Sequence, residues 1–505
     1  MGAQARSESG NTLIVVSNRL PYNLPKDPSG KLPKRNVGGL VNALEPVLAE
    51  YNGSWIGWDG VGLSSAAAVE DAMARQTDFR TQSGVELHGV PLSDREISRY
   101  YHGLSNRTLW PLFHNLLTKS VFNTEDWDAY VRVNERFART VLSRAAVGDR
   151  VWVQDYHLIL LPKLLREMGF VGRIDFFLHI PFPAPELLLA LPWREEVIQG
   201  FLCADAVAFH IDSYRANFVR AVESLCDTTV NSLGDDSIEL KHRWGRTIAA
   251  VSPIGIDVDD FERIAALASV EQEVQRLREA HGDRKLLFSA DRLDYTKGIS
   301  ERLLGLERFL SKYPERAGTF ALMQVVVPSR NQVEEYRNLK REIDRQVGRI
   351  NGEYGRDGWI PVHYEYRALG REDLVAHYRA AHVALVTPLR DGMNLVAPEF
   401  VASRTDMDGV LIVSEFAGVA ERLHAALFVN PYDVDDCAEA ILRALEMPPA
   451  ERASRMGGLR SIVRDNTTTI WARRCLGIEA GAEAAPNLAP RLREVPVGEP
   501  FQEKR

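Results

Sequence analysis

Residues 285–298 read KLLFSADRLDYTKG, and this stretch decides the fold. An apolar run at 285–289 leads into a polar loop, and a helical pattern begins near Ile299. A short apolar run followed by a polar turn and a helix predicts one βα unit of a parallel sheet, whose strands are buried on both faces.

Runs of this kind recur ten times along the chain. They are residues 13–17, 151–154, 174–178, 206–209 and 247–252 in the first half, and 285–289, 320–327, 383–387, 410–414 and 427–430 in the second. Repeated βα units predict an α/β protein of two doubly wound domains that face one another across a cleft. Ligands of such sheets bind beyond the carboxyl ends of the strands.

Domain boundaries follow from composition. The charged, helix-patterned stretch 256–283 separates the halves, so we place the N-terminal domain at 11–255 and the C-terminal domain at 256–464. We expect a disordered leader at 1–10, a terminal helix at 465–480 that crosses back to the N-terminal domain, and a flexible, proline-containing tail at 481–505.

Composition excludes several classes of protein. The 505 residues carry 69 acidic and 61 basic side chains, a net charge of −8, so no basic field exists for nucleic acid or anionic lipid. The four cysteines lie far apart, which argues against disulfides and a structural metal. Because no apolar run is long enough to cross a membrane and the start is polar, we expect a cytoplasmic protein without membrane partners.

Three strand ends in the first half carry polar clusters. Asn18 and Arg19 follow the first strand, and Gly38 and Gly39 then open a helix whose amides could approach a phosphate, although an ordinary helix-entry turn is the alternative. The spacing is not GxGxxG, which disfavours NAD.

Asp155 and His179 follow the next two strands. They could hydrogen-bond sugar hydroxyl groups or share proton transfer, although each alone is more often a structural residue. Prolines on either side of Phe182 stiffen the loop after His179.

The sharpest cluster of the second half lies in the opening stretch. Arg292 and Lys297 flank a tight loop before a helix, where two cations and a helix N-terminus could grip two phosphates, with solvated charge as the alternative. Lysine is scarce, with 11 in the chain. Arg330 places a further cation after the strand at 320–327.

The segment 388–399, PLRDGMNLVAPE, follows the strand at 383–387. Asp391 could bind sugar hydroxyl groups and Glu399, at the start of the next helix, could bind ribose hydroxyl groups. We expect unpaired amides from Met393 to Val396 that could bind a diphosphate. The candidate residues of this segment for binding a sugar nucleotide are Asp391, Gly392, Met393, Asn394, Leu395, Val396 and Glu399.

The ordered motifs SNRLP, NVGGL, YYHGLSNRTLWP, QDYHLILLP, FFLHIPFP, DRLDYTKG, VPSR and RDGMNLVAPEF closely resemble the trehalose-6-phosphate synthases. That family consists of retaining glycosyltransferases with the GT-B fold of two Rossmann-like domains. The resemblance covers about 11–475. It implies transfer of glucose from a nucleoside-diphosphate glucose, usually UDP-glucose, to glucose-6-phosphate, in trehalose biosynthesis.

The same resemblance implies the role of each site residue. Arg19, Tyr101, Trp110 and Arg330 match ligands of the acceptor phosphate, and Gly39, Asp155 and His179 match contacts around the two sugars. Arg292 and Lys297 match a diphosphate clamp, Asp391 a ligand of the donor glucose, and Glu399 the ribose ligand. No substitution occurs at these positions, which argues against a degenerate regulatory relative.

Retention requires a carboxylate nucleophile or a same-face route through an oxocarbenium-like state, and the family is similar to the second type. Asp155 as a nucleophile is the competing possibility. We expect no cofactor and no metal, because cationic side chains balance the charge of the leaving group and Asp257, Asp259 and Asp260 read as a helix entry.

The rival functions are a glucosyltransferase with a glycerol-3-phosphate acceptor and a non-catalytic sugar-phosphate-binding subunit. Domain closure that excludes water, and a homo-oligomer (dimer or tetramer), are further expectations.

Overall fold

The computed structural model describes residues 12–24, 34–35, 39–75, 78–234, 236–330 and 333–477. The expected leader at 1–10, the expected tail at 481–505, the last three residues of the expected terminal helix (478–480) and Gly38 lie outside these residues. The chain divides into two units: the first runs to Ser252 and resumes at Ala472, and the second is Pro253–Trp471.

The first unit is an α/β sandwich around one sheet. Its strands are β1 Leu13–Arg19, β2 Tyr22–Asn23, β3 Lys34–Arg35, β4 Ser54–Trp58, β5 Gly62–Leu63, β6 Asp78–Arg80, β7 Glu86–Gly89, β8 Leu92–Ser93, β9 Arg150–Gln154, β10 Ile174–Phe177, β11 Ala206–Phe209, β12 Thr228–Ser232, β13 Ser237–His242 and β14 Gly245–Val251. Its helices are α1 Gly39–Glu50, α2 Ala66–Arg75, α3 Asp94–Glu96, α4 Trp110–Phe113, α5 Thr124–Leu142, α6 Leu161–Glu167, α7 Pro185–Leu188, α8 Arg194–Leu202 and α9 Asp212–Leu225. A π-helical segment, Ile97–Leu109, joins α3 to α4.

Strand order in the main sheet of this unit is β12-β13-β14-β11-β10-β9-β1-β4-β7-β6. The seven strands from β14 to β7 are parallel, and antiparallel strands flank them on both sides. From β1 the order grows outward in both directions, which creates a topological switch point between β1 and β9. Residues at the carboxyl ends of these two strands therefore border the crevice in which doubly wound sheets generally bind ligands.

The second unit repeats this plan on a smaller scale. Its strands are β15 Lys285–Arg292, β16 Phe320–Val327, β17 Val362–Glu365, β18 Val383–Val386, β19 Val410–Ser414 and β20 Leu427–Val429. Its helices are α10 Val258–Ala265, α11 Ala268–His281, α12 Ile299–Lys312, α13 Glu334–Tyr354, α14 Arg371–Ala380, α15 Val396–Ser403, α16 Val434–Glu446, α17 Pro449–Arg464 and α18 Thr468–Cys475, whose last residues belong to the first unit.

The six strands of the second unit are all parallel, in the order β17-β16-β15-β18-β19-β20. This is the Rossmann order 3-2-1-4-5-6, and its switch point lies between β15 and β18. The core holds strand residues such as Leu287, Leu322 and Ile412 against helix residues such as Leu306 and Ile441. The rigid sheet thus aims the loops after β15 and β18 at one crevice.

All ten predicted strands are present, and the α/β class with two Rossmann-like units is confirmed. The sequence reading missed β4, whose run SWIGW contains glycine, and the half-exposed antiparallel strands β12 and β13. It also missed the four-residue parallel strands β7 and β17.

The predicted separator 256–283 contains α10 and α11, which belong to the second unit. The chain passes between the units at Ser252–Pro253, three residues before the predicted boundary at 255–256, and returns at Trp471–Ala472, within α18. Asp257 caps α10 by accepting a hydrogen bond from the amide of Asp260, so the IDVDD motif is the helix entry that its sequence suggested.

Within the described ranges, none of the helices is both long enough and apolar enough to pass through a lipid bilayer.

Candidate active site

The switch point of the second unit brings Lys297 and Asp391 together. Lys297 follows β15, Asp391 follows β18, and the ammonium nitrogen lies 2.5 Å from Oδ2 of the carboxylate. Both side chains are mostly buried, at 12% and 14% exposure. Two loops that are distant in sequence thus deliver a cation and an anion to the point where the topology predicts a ligand.

Backbone contacts hold these two loops against each other. The amide of Leu389 donates to the carbonyl of Thr296 at 2.8 Å. Gly298 has a φ of +63°, and a Cβ there would lie 2.4 Å from the carbonyl oxygen of Thr387. Only glycine permits this approach, which explains the glycine directly after Lys297.

A buried ion pair holds the two loops in place. Arg302 donates to Oδ2 of Asp291 at 2.8 Å, to the hydroxyl of Thr387 at 2.9 Å and to the carbonyl of Lys297 at 3.2 Å. Arg302 and Asp291 are 3% and 7% exposed. A buried ion pair needs further hydrogen bonds to offset the loss of water, and here several atoms of the guanidinium make them. It links β15 to the loop after β18.

Asn394 organises the start of α15. Its φ is +69°, its side-chain amide donates to Asp391 Oδ2 at 3.0 Å, and its Oδ1 accepts from the amides of Val396 and Ala397 at 3.0 and 3.4 Å. The expectation of unpaired amides from Met393 to Val396 is therefore wrong for Val396. The amides of Met393, Asn394 and Leu395 donate no hydrogen bond to any described residue, and Glu399 lies in the first turn of α15 as expected.

Arg330 belongs to a separate cluster after β16. Its guanidinium contacts Oδ2 of Asp294 at 3.3 Å and the hydroxyl of Tyr336, and its φ is +47°. Burial alone would raise the pKa of Asp294. The positive charges of Arg330 and Arg292 outweigh burial and hold the pKa below its ordinary value, so the carboxylate stays ionised. Arg292 ends β15 with an exposed side chain.

In the first unit, the switch point carries Arg19, the last residue of β1, and Asp155, which follows β9. Asp155 has a φ of +73°, an uncommon value for a residue other than glycine, and its Oδ1 accepts from the amide of His179 at 3.1 Å. The two predicted residues after β9 and β10 are therefore joined directly. Gly39 begins α1, as the sequence predicted.

His179 is held as a neutral imidazole. Its Nε2 lies 2.9 Å from Oε1 of Gln154, and its carbonyl lies 3.1 Å from Nε2 of His210. Burial, and then the neighbouring His210, hold the pKa of His179 well below its usual value. A neutral imidazole can hydrogen-bond a sugar hydroxyl group but is a poor proton donor.

Aromatic rings connect the remaining residues. The guanidinium of Arg19 lies 5.7 Å from the centre of the Trp58 ring, and the Trp58 and Tyr101 rings are 6.1 Å apart. Tyr101 stacks on His157 at 5.8 Å and 13°, and Trp110 packs against Tyr156 at 5.7 Å. The structure thus brings Arg19, Tyr101 and Trp110 near the loop that begins with Asp155.

The π-helical segment explains how Tyr101 and Trp110 share a face. Nine residues make about two and a half turns of an α-helix, which would put the two rings on opposite sides. Hydrogen bonds from i+5 to i widen each turn, and Trp110 donates its amide to Ser105 in this pattern. With more residues per turn, nine residues come close to two full turns.

Sequence reasoning missed three supporting residues: Trp58 beside Arg19, Tyr336 beside Arg330, and Tyr378, whose hydroxyl donates to Glu399 at 3.0 Å. Trp58 lies at the carboxyl end of the missed strand β4, so recognising that strand would have found it. No local pattern marks Tyr336 or Tyr378, because each contact spans separate elements.

Two Rossmann-like units built on mostly parallel sheets, with charged and polar side chains at their switch points, are typical of a glycosyltransferase of the GT-B class. The sequence profile of glycosyltransferase family 20 matches residues 11–478. The chain therefore belongs to glycosyltransferase family 20, the family of the trehalose-6-phosphate synthases.

Named relatives agree with this assignment. The chain is 43% identical to the trehalose-6-phosphate synthase of Mycolicibacterium smegmatis, over 91% of this chain and 90% of that protein. It is 45% identical to the bifunctional trehalose-6-phosphate synthase/phosphatase of Thermoproteus tenax, over 91% of this chain, and spans 62% of the length of that relative. A Burkholderia xenovorans α,α-trehalose-phosphate synthase (UDP-forming), solved with glucose-6-phosphate, superposes with a TM-score of 0.84 at 34% identity, covering 92% of this chain and 99% of that one.

Proposed function

We propose that this enzyme transfers glucose from UDP-glucose to glucose-6-phosphate with retention, giving α,α-trehalose-6-phosphate and UDP. The observation that carries the proposal is the Lys297–Asp391 pair at the switch point of the second unit, beside three amides that donate to no described residue. A cation, a carboxylate and helix-entry amides are the groups that a sugar diphosphate requires. The UDP-forming relative from Burkholderia xenovorans binds glucose-6-phosphate, which supports both substrates.

The proposed mechanism uses electrostatic stabilisation of the leaving group. The bond between the anomeric carbon and the phosphate oxygen breaks while Lys297, Arg292 and the amides near Leu395 balance the negative charge that develops on UDP. The acceptor hydroxyl forms the new glycosidic bond on the same face, and its proton passes to the departing phosphate oxygen. No protein base is required in this scheme.

Side chains of the first unit bind the acceptor in this proposal. Arg19, held beside Trp58, and Tyr101 contribute to binding the phosphate, while Asp155 and neutral His179 accept or donate hydrogen bonds to sugar hydroxyl groups. Asp155 is already joined to the amide of His179, which fits a positioning role better than that of a nucleophile. A covalent glucosyl-enzyme that is detected by mass spectrometry in the wild type and absent from Asp155→Ala would contradict the same-face route.

The substrate assignment is tested by initial rates. UDP-, ADP- and GDP-glucose are each offered with glucose-6-phosphate, and UDP-glucose is offered with glycerol-3-phosphate. We expect the highest kcat/KM for UDP-glucose with glucose-6-phosphate. Preference for glycerol-3-phosphate would establish the rival acceptor, and no turnover with any pair would favour a sugar-phosphate-binding subunit.

We further propose that turnover needs no divalent cation, because Lys297 and Arg292 supply positive charge at the diphosphate. Full activity in excess EDTA is the expected result, and complete loss that Mg²⁺ restores would refute it. A homo-oligomer in the cytoplasm remains our proposal for the state of the protein.

A further inference from the structure

Tyr378 in α14 and Glu399 in α15 form a partly buried contact at the edge of the donor site. The Tyr378 hydroxyl donates to Oε2 of Glu399 at 3.0 Å, and Tyr378 has no exposed surface. A buried phenol needs a hydrogen-bond partner, and here the partner is a carboxylate of the first turn of α15.

Two aromatic rings pack against the buried ring of Tyr378 and hold it at this contact. Phe288 of β15 packs against it edge-on at 5.5 Å and 82°, and Phe400 packs at 6.2 Å and 77°. Burial and the charge of Glu399 hold the pKa of Tyr378 well above its usual value, so the hydroxyl stays a donor. The Tyr378 hydroxyl is therefore a hydrogen-bond donor that is fixed both in position and in protonation state.

Few other charges face the Glu399 carboxylate. On α14, the charge of Arg371 lowers the pKa of Glu399, but the Arg371 guanidinium forms its ion pair with Asp260 of α10 at 2.6 Å. On α17, Arg460 donates to backbone carbonyls of α15. The negative charge of Asp291 in β15 raises the pKa of Tyr378. The neighbouring strands β18 and β19, VALV and VLIVS, contain no titratable side chain.

Tyr378 therefore makes the only hydrogen bond to this carboxylate from any residue that the structure describes. A carboxylate with one oxygen engaged by a fixed donor has a defined orientation, because rotation about its terminal bond would break that hydrogen bond.

We propose that Tyr378 is a positioning residue for the nucleotide: its hydroxyl engages Oε2 of Glu399 and leaves Oε1 to accept from the ribose hydroxyl groups. This inference rests on the proposed function, since it takes the ligand of Glu399 to be a nucleoside diphosphate. It adds to that function a residue that touches no substrate but sets the geometry and ionisation of one that does.

Protonation gives the proposal a measurable signature. Burial raises the pKa of Glu399 to about 7, and the Tyr378 hydrogen bond and Arg371 act in the opposite direction. Removing the hydroxyl removes the larger of these two opposing effects, so the pKa should rise further. A protonated Glu399 can accept fewer hydrogen bonds, so nucleotide affinity should increase as pH rises through the pKa.

The first arm of the test uses the ligand-free enzyme. Isotope-edited infrared spectroscopy follows the protonated carboxyl band of Glu399 against pH, assigned by its loss in Glu399→Gln. In Tyr378→Phe we expect the midpoint to move to higher pH. An unchanged midpoint would overturn the proposal.

The second arm measures the Kd for UDP by calorimetry from pH 6 to pH 9. At neutral pH we expect about tenfold weaker binding in Tyr378→Phe, an amount typical of one charge-assisted hydrogen bond, and recovery toward wild-type affinity at high pH. Glu399→Gln should bind weakly without pH dependence in this range.

Tyr313→Phe is the matched control. Its hydroxyl donates to Glu439 at 2.7 Å on the exposed side of the same unit, so the same atoms are removed away from the site. We expect wild-type UDP affinity. Equal weakening in both variants would contradict a specific role for Tyr378.

The two arms separate the inference from the function on which it rests. A shifted infrared midpoint with no UDP binding by the wild type would leave the Tyr378–Glu399 coupling established and would refute the nucleotide assignment. Normal UDP binding with no difference between wild type and Tyr378→Phe at any pH would refute the positioning role alone.

Discussion

The Lys297–Asp391 pair shows how one side chain can serve two partners. In the structure the ammonium group lies 2.5 Å from the carboxylate. In the proposed reaction the same ammonium group also balances the charge of the leaving diphosphate. The sequence indicated both residues by their places after strands, but their pairing could not be predicted because they lie 94 residues apart.

We expect Lys297→Ala to lower kcat/KM by about 10²–10³-fold, the usual cost of removing one donor that stabilises transition-state charge. Lys340→Ala is the control, because Lys340 pairs with Asp344 at 2.6 Å on the surface of α13. Initial rates with saturating glucose-6-phosphate measure the effect. Equal rates for the wild type and Lys297→Ala would contradict the catalytic role.

His382 makes stability depend on pH. Its Nδ1 accepts from the amide of Leu286 at 3.0 Å, and burial is the main cause that lowers its pKa to about 4. The unfolded chain binds this proton near pH 6.5 and the folded chain does not, so this contribution to stability is present above pH 6.5 and is lost as pH falls toward 4.

We expect the free energy of unfolding of the wild type to fall more steeply between pH 7 and pH 5 than that of His382→Asn, whose amide oxygen can accept the same hydrogen bond without titrating. Urea unfolding at several pH values measures the difference. Parallel pH profiles for the two proteins would contradict this account, because they would mean that His382 binds its proton at the same pH in the folded and the unfolded chain.

At the scale of elements, the long apolar parallel strands were predictable, whereas the shorter parallel strands β4, β7 and β17 were not. Strands buried on both faces are continuous apolar runs such as FALMQVVV, β16, which the sequence displays openly. The half-exposed strands β12 and β13 lack such runs. The π-helical segment Ile97–Leu109 is also hidden, because side-chain periodicity was read against 3.6 residues per turn.

The start of α15 depends on Asn394, which combines a positive φ with capping of two amides and a hydrogen bond to Asp391. We expect Asn394→Ala to lower the free energy of unfolding by about 1–2 kcal/mol and to weaken UDP binding. Asn394→Gly, which tolerates the backbone conformation but cannot cap, should recover part of the stability and none of the binding. Chemical denaturation and calorimetry provide the two readouts, and full binding by either variant would contradict this role of the cap.

At the scale of the whole molecule, the central parallel strands of the two units follow the same order, and each unit carries polar residues at its own switch point. The proposed function assigns the donor to the second unit and most acceptor contacts to the first. The order of the sheets was not predictable in detail, because pairing between strands far apart in sequence leaves no local signal.

Hydrogen exchange tests this division of labour. We expect UDP to protect amides in the loops 291–298 and 391–396, and glucose-6-phosphate to protect β1, the π-helical segment and the loop at 155–158. Mass spectrometry of peptides from the full chain resolves the segments. Protection of the first unit alone by UDP would reverse the assignment of donor and acceptor.

The most direct test of the central claim is the identity of the product. Purified enzyme is incubated with UDP-glucose and glucose-6-phosphate, and the sugar product is analysed by NMR. The account predicts α,α-trehalose-6-phosphate and one UDP per glycosidic bond, with the signals strongly reduced for Lys297→Ala. Inverted configuration at the transferred anomeric carbon, or release of free glucose with no disaccharide phosphate, would contradict it.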